Sequence, residues 1–134
     1  MDFLRGALCI GVHKDIEATE FNGPNRPLIS QSLCSALPVA YSVRSRYWPP
    51  FAKLVLEAAY EATLWAAVLN AQRRQSNVVF LTLLGGGAFG NEPDWIYGAM
   101  RRSLQLVREF DLDVRVVSYS SPSRKLLSIV AEFR

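Results

Sequence analysis

Residues 78–93 read VVFLTLLGGGAFGNEP. The run 78–84 is apolar apart from Thr82 and ends on Gly85-Gly86-Gly87. Ala88-Phe89-Gly90 follows, and Asn91-Glu92-Pro93 opens a helical pattern. Four of the chain's eight glycines therefore fall within six positions, which marks a sharp turn between two regular elements. A buried strand, a tight loop and a helix start are expected here. Glycine lets a backbone take positive φ and lets a neighbour approach without a Cβ in the way. Amides at such a loop and at the next helix N-terminus suit a phosphate or another anion, although a glycine-rich loop can also serve only to turn sharply.

Two phosphate-binding signatures are excluded. No Gly-Lys-Ser/Thr follows the glycines, so this is not a Walker loop. Gly85-x-Gly87-x-x-Gly90 has only the spacing of the dinucleotide fingerprint. Asp111 and Asp113 precede the next strand, whereas the ribose-binding acid follows it.

Outward from the loop, the pattern is one of alternating helices and strands. Residues 50–72 predict a long helix, with Pro50 in its first turn. Its polar stripe is narrow, Lys53, Glu57 and Glu61, and Lys53 and Glu57 are spaced to pair across one turn. Phe51, Leu56, Tyr60, Leu64 and Trp65 spread around the rest, which implies burial on more than one side. Residues 78–84 then predict a central strand covered on both faces. A helix is expected over 93–109, with Asn91 as a candidate cap, an inner face of Ile96, Met100, Leu104 and Val107, and a solvent face of Arg101, Arg102, Gln105 and Arg108. Residues 113–119 predict a strand. Ser121-Pro122 starts a last helix with Leu126, Leu127, Val130 and Phe133 on one face. This order argues for an α/β domain with a parallel core.

The front of the chain is read from shorter runs. Residues 7–13 predict a strand, 19–27 a loop, 33–41 a strand or extended segment interrupted by Pro38, and 42–50 a connection. His13 is the single histidine, so a multi-histidine metal site is excluded. His13 with Cys9 or Cys34 either supplies metal ligands or a nucleophile pair, or is a strand-end histidine beside two core thiols. Buried free thiols in a reducing cytoplasm are expected, with one disulfide left open. Ser35 lacks the Gly-x-Ser-x-Gly elbow of a hydrolase.

A chain of 134 residues, half hydrophobic and one fifth charged, is expected to fold as one domain, 1–134. A net charge of +3 tolerates an anionic ligand, but the arginines scatter (Arg44 and Arg46, Arg73 and Arg74, Arg101 and Arg102), which argues against a nucleic-acid partner. No signal peptide is read in residues 1–11, and the most apolar helical segment, 54–71, is interrupted by Glu57 and Glu61, so no membrane partner and a cytoplasmic location are expected.

The stretch Leu83-Leu84-Gly85-Gly86-Gly87-Ala88-Phe89-Gly90 with Pro93 resembles the second ligand-binding loop of macro domains. Ala59-Tyr60-Glu61-Ala62-Thr63-Leu64-Trp65-Ala66-Ala67 resembles the family's alanine-rich helix before that strand, and residues 114–119 its later hydrophobic strand. The resemblance covers about residues 50–120, the second half of such a domain. The family's first, asparagine-bearing ligand loop has no counterpart, and Asp15-Ile16 only faintly resembles its adenine-binding Asp-Ile. Macro domains bind ADP-ribose and related nucleotides, and some hydrolyse ADP-ribosyl linkages. The resemblance implies that Gly85 to Asn91 line the ligand, with the amides of Gly86, Gly87, Ala88, Phe89 and Gly90 facing a diphosphate. Phe89 then lies against the distal ribose or anchors the loop in the core, and Asn91 touches ribose or caps the helix. Glu92 and Asp94 favour the helix N-terminus but compete with a phosphate there.

The expected fold is thus a three-layer α-β-α domain with a mixed, mainly parallel sheet. The expected function is binding of a nucleotide, an ADP-ribose-like molecule or another phosphate-bearing small molecule, with no catalytic residue, metal or cofactor assigned. The alternatives are a structural or oligomeric interaction protein that has lost the ligand site and, third, an ADP-ribosyl hydrolase. A homodimer is expected, because a half-domain leaves a sheet edge free and the long helix carries excess apolar surface.

Overall fold

The computed structural model describes residues 2–20, 23–43 and 45–133. Phe21 and Asn22, inside the expected loop 19–27, together with Met1, Arg44 and Arg134, lie outside them. The described elements are α1 (Asp2–Ala7), β1 (Gly11–Glu17), β2 (Leu28–Leu33), α2 (Pro49–Gln72), β3 (Val78–Thr82), α3 (Pro93–Leu106), β4 (Asp113–Val117) and α4 (Arg124–Glu132). Short 3-10 turns occupy Val39–Tyr41, Ser45–Tyr47 and Gly87–Phe89.

The protein is a mixed α/β chain whose core is built on α2. Leu56, Tyr60, Leu64 and Val68 recur every four residues and form one buried stripe. Against it pack Val79 and Leu81 of β3, and Ile96, Met100 and Leu104 of α3. Leu54 and Ala58 are buried on the other side of the helix, so its apolar arc is covered from more than one direction, as expected. Leu56, Tyr60 and Leu64 are thereby satisfied within one chain; Phe51, Trp65 and Leu69 stay exposed on this helix. That removes most of the helical argument for a dimer.

The polar stripe of α2 is a docking seam rather than a solvated face. Glu57 pairs with Arg5 of α1 at 2.5 Å, and Glu61 with Arg102 of α3 at 2.5 Å. Lys53 does not pair with Glu57; its Nζ lies 5.8 Å from the centre of the Trp95 ring. Arg102 is therefore removed from the expected solvent face of α3, and Arg101 reaches Glu132 of α4 at 2.7 Å.

The strands form two separate pairs among the described residues, not one mixed sheet. β1 and β2 make an antiparallel hairpin, from Gly11↔Leu33 to Glu17↔Leu28, with an irregularity between His13 and Ile16 where Asp15 takes φ 53°. β3 and β4 pair in parallel, from Val78↔Asp113 to Thr82↔Val117. β3 is shorter than expected and is covered on one face only. Val79 and Leu81 are buried, while Phe80 and Thr82 are exposed, because α2, α3 and α4 share a single core with the inner face. β4 likewise ends at Val117, before Tyr119.

Several boundaries shift. Residues 2–7 are helical, with Arg5 bridging Asp2 and Glu57, so the first strand begins at Gly11 and not at Ala7. The second strand is 28–33; residues 34–38 carry no ladder and lead into the 3-10 turn at Val39, as a proline at 38 favours. α3 stops at Leu106 rather than at 109. α4 starts at Arg124 with Ser123 as its cap, its Oγ accepting the Leu126 amide at 3.1 Å. Its buried face is Leu126 and Ile129, whereas Leu127 is exposed. No described helix is long and apolar enough to cross a membrane.

Candidate functional site

The glycine loop joins the carboxyl end of β3 to the first turn of α3, the end of a parallel pair where ligands of open α/β sheets bind. It is held from beneath by Tyr60. The Tyr60 hydroxyl donates to the Thr82 carbonyl at 2.7 Å and accepts the Leu84 amide at 2.9 Å. Burial pushes this phenol up to about 12, against the partial relief given by the Leu84 amide.

Four of the residues singled out in the sequence hold the loop onto residues 36–41. Gly85 has φ +77°, and a Cβ there would stand 2.4 Å from the Ala36 Cβ. Gly90 has φ +68°, and a Cβ there would stand 2.7 Å from the Ala40 Cβ. Both are glycine because the turn needs positive φ and because a Cβ would collide, at Gly85 with the Ala36 and Asn91 side chains and at Gly90 with Ala40, backbone included. Phe89 is half-buried, packs against the core and meets the Tyr41 ring edge-on at 6.5 Å. Of its two expected roles, the anchoring one is visible. Asn91 is only 4 % exposed; its Nδ2 donates to the Leu37 carbonyl at 2.8 Å and to the Gly85 carbonyl at 3.1 Å. It does not cap α3, whose cap position is Glu92 with no side-chain hydrogen bond. Its Oδ1 is buried without a hydrogen-bond partner.

Gly86, Gly87 and Ala88 are the outward part and are exposed. The Gly86 amide is spent on the Leu83 carbonyl at 3.2 Å, and the Gly90 amide on Gly87 at 3.0 Å. Gly87 and Ala88 open the 3-10 turn, where the turn supplies no acceptor for their amides. Gly87 has φ +66° with nothing within 4 Å of the place a Cβ would take. The acidic start of α3 is partly balanced, since Asp94 pairs with Lys125 at 2.7 Å. Glu92 stays exposed.

The other candidates do not assemble. Cys9 and His13 are exposed, Cys34 is half-buried with its Sγ 4.0 Å from Thr63 Oγ1, and both cysteines are free. The expected pair of buried core thiols is thus corrected: Cys9 lies in the open link between α1 and β1. Among the described residues no group of three or more His, Cys, Asp or Glu could hold a metal ion. The Ser35 hydroxyl donates to the Ala36 carbonyl at 3.1 Å.

Sequence reasoning missed the support of the loop: Tyr60, Ala36, Ala40 and the Leu37 carbonyl. Tyr60 carried one usable signal, a hydroxyl on an otherwise apolar helix stripe, which needs a buried partner. Ala36, Leu37 and Ala40 carried none. No protein-family model, no curated protein and no solved structure matches this chain.

Proposed function

We propose that this chain binds the phosphate of a nucleotide or ADP-ribose-like ligand on the Gly86-Gly87-Ala88 turn, in the manner of the second ligand loop of a macro domain. In this reading α2, β3, α3 and β4 are the second half of a three-layer α-β-α arrangement. The observation that carries it is Gly87: left-handed, exposed, and with empty space where a side chain would begin. Gly85 and Gly90 are explained by their close neighbours; Gly87 has no such neighbour, so its positive φ serves the turn that presents the next amides. The amides of Gly87 and Ala88 point to one phosphate rather than a full diphosphate cage.

A Kd on the order of 10 micromolar to millimolar is expected from so few donors. The test is an amide NMR titration with ADP-ribose and, in parallel, inorganic phosphate. Shifts centred on Gly86, Gly87 and Ala88, lost in Gly87→Val, support the proposal. Unshifted loop amides at millimolar ligand reject it.

A second reading, an interaction protein without a ligand, is favoured by the commitment of Gly85, Phe89, Gly90 and Asn91 to internal packing. Hydrolysis is not part of the proposal. From Leu83 to Asn91 no side chain can take or give a proton near neutral pH, so the loop supplies no general acid or base.

A further inference from the structure

The parallel pair β3–β4 is bare on one side. Parallel strands in stable folds are covered on both faces, because crossovers lay helices on each. Here the outer face carries Phe80, 63 % exposed, and Val117, 50 % exposed, with Asp113 and Arg115 beside them. The Arg115 guanidinium lies 5.9 Å from the centre of the Phe80 ring and pairs with Asp113 at 2.6 Å. Across the free edge of β3 stands the β1–β2 hairpin, in which no described residue is buried. Leu28, 63 % exposed, and Ile29 line one cleft of about 330 Å³ together with Val78 and Phe80. An isolated two-stranded hairpin is marginal in water. The bare face and the bare hairpin thus meet at this cleft, where the apolar Leu28, Ile29, Val78 and Phe80 stand beside the polar Lys14, Asp15, Asn70 and Arg73.

The total area says how much is uncovered. The chain exposes 9236 Å², whereas a compact monomer of 15.0 kDa exposes roughly 7,000 Å². The excess, roughly 2,200 Å², is spread over the whole chain, and the share on this face and the hairpin is what a second copy would cover; one partner of an obligate homodimer buries about 1,000–2,500 Å². An Asp and an Arg two residues apart on the same face also make the surface self-complementary across a two-fold axis.

We infer that the outer face of β3–β4 and the adjoining β1–β2 hairpin form an isologous interface with a second copy of this chain. Phe80 is the central anchor, Leu28 and Val117 flank it, and Asp113 with Arg115 set the register. This interface is independent of the glycine loop, which lies at the carboxyl end of β3.

Sedimentation velocity at about 50 micromolar, with Kd read by dilution, tests it. The wild type is expected at about twice the 15.0 kDa chain mass. Phe80→Arg and, separately, Leu28→Glu are each expected to raise the dimer Kd by about 100-fold or more, as loss of a buried anchor does. Both positions are exposed in the single chain, so far-UV circular dichroism of each variant should match the wild type. Leu106→Arg, on α3 behind the opposite face, should leave the dimer intact. A wild-type mass near that of one chain overturns the inference, including the case in which the surface captures a different protein. A dimer that survives both Phe80→Arg and Leu28→Glu, or that Leu106→Arg breaks equally, overturns it as well.

Discussion

The Tyr60 hydroxyl accepts the Leu84 amide at 2.9 Å and so ties the middle of α2 to the exact point where β3 gives way to the glycine loop. The same oxygen donates to the Thr82 carbonyl at 2.7 Å. The Leu84 amide also donates to the Thr82 carbonyl at 2.9 Å, so the hydroxyl joins a donor and an acceptor that already meet at the strand end. Tyr60→Phe keeps the ring and removes one hydrogen bond from each backbone group, leaving the Leu84 amide to the Thr82 carbonyl, and is expected to cost about 1–2 kcal/mol. Thermal unfolding checks it, at roughly 3–4 °C per kcal/mol for a chain of this size.

The same phenol predicts a pH dependence. An unfolded chain releases this proton near pH 10, while the native state holds it to about 12. Between these values the unfolded state binds fewer protons, so stability falls as pH rises. Below about pH 10 the contribution is fully present. Urea midpoints from pH 8 to about 11.5 should therefore decline more steeply for the wild type than for Tyr60→Phe. Equal slopes would show that the phenol is not desolvated as described.

Asn91 gives a second test, at the other end of the loop. Its Nδ2 faces two carbonyl oxygens, those of Leu37 and Gly85. Asn91→Asp replaces two donors by an acceptor in a site 4 % exposed, and about 3 kcal/mol or more is expected to be lost at neutral pH. The protonated acid recovers one donor. Its native pKa is then raised above the unfolded value, so the variant is best at low pH and loses stability as pH rises through the native pKa. Melting curves of variant and wild type at pH 4 and pH 7 should show a wider gap at pH 7.

The elements that were legible in the sequence are those with long apolar periodicity. α2 and α3 were placed within a few residues, and β3 and β4 at their starts, because Leu56, Tyr60, Leu64 and Ile96, Met100, Leu104 repeat at helical spacing and all face one core. The front half is not legible because β1 and β2 bury no described residue, so no alternation marks them. The position of the loop was legible from its glycines, but the division of labour among them was not. Gly85 and Gly90 answer to Ala36 and Ala40, some 50 residues earlier, and a contact at that separation leaves no local pattern. The continuous run 78–84 suggested cover on both faces; Phe80 is apolar yet outward, a difference that composition alone does not carry.

That division of labour is itself measurable. Gly87→Ala meets only the left-handed backbone, a cost of about 1 kcal/mol. Gly90→Ala meets the same strain and also a Cβ 2.7 Å from that of Ala40, and is expected to cost about 2–4 kcal/mol. Gly85→Ala, at 2.4 Å from the Ala36 Cβ, should be at least as harmful as Gly90→Ala. Denaturant unfolding of the three variants ranks them. Equal losses would mean that the loop is not docked on residues 36–41.

The acidic stripe of α2 makes the last prediction, because its two carboxylates have the same chemistry and nearly the same burial but arginine partners of different burial. Arg5 is 10 % and Glu57 25 % exposed at the side chain, and the guanidinium also reaches Asp2. Hydrogen bonding to Asp2 and to Glu57 holds the Arg5 pKa above its ordinary value, against desolvation. Glu57→Gln leaves that largely buried cation with one solvent-exposed partner and is expected to cost about 1–3 kcal/mol. Arg102 is 33 % exposed at the side chain and so more open to water than Arg5, and Glu61→Gln should cost about 0.5–1 kcal/mol. Salt separates the two further, since screening acts on exposed charges first. Raising the ionic strength from about 0.05 to 0.5 M should remove most of the Glu61→Gln deficit and leave most of the Glu57→Gln deficit in place. A double-mutant cycle on Arg5 and Glu57 should then give a larger coupling than one on Arg102 and Glu61. If the two couplings are equal, α1 is not packed on α2 through Arg5, and residues 2–7 are held by something other than this ion pair.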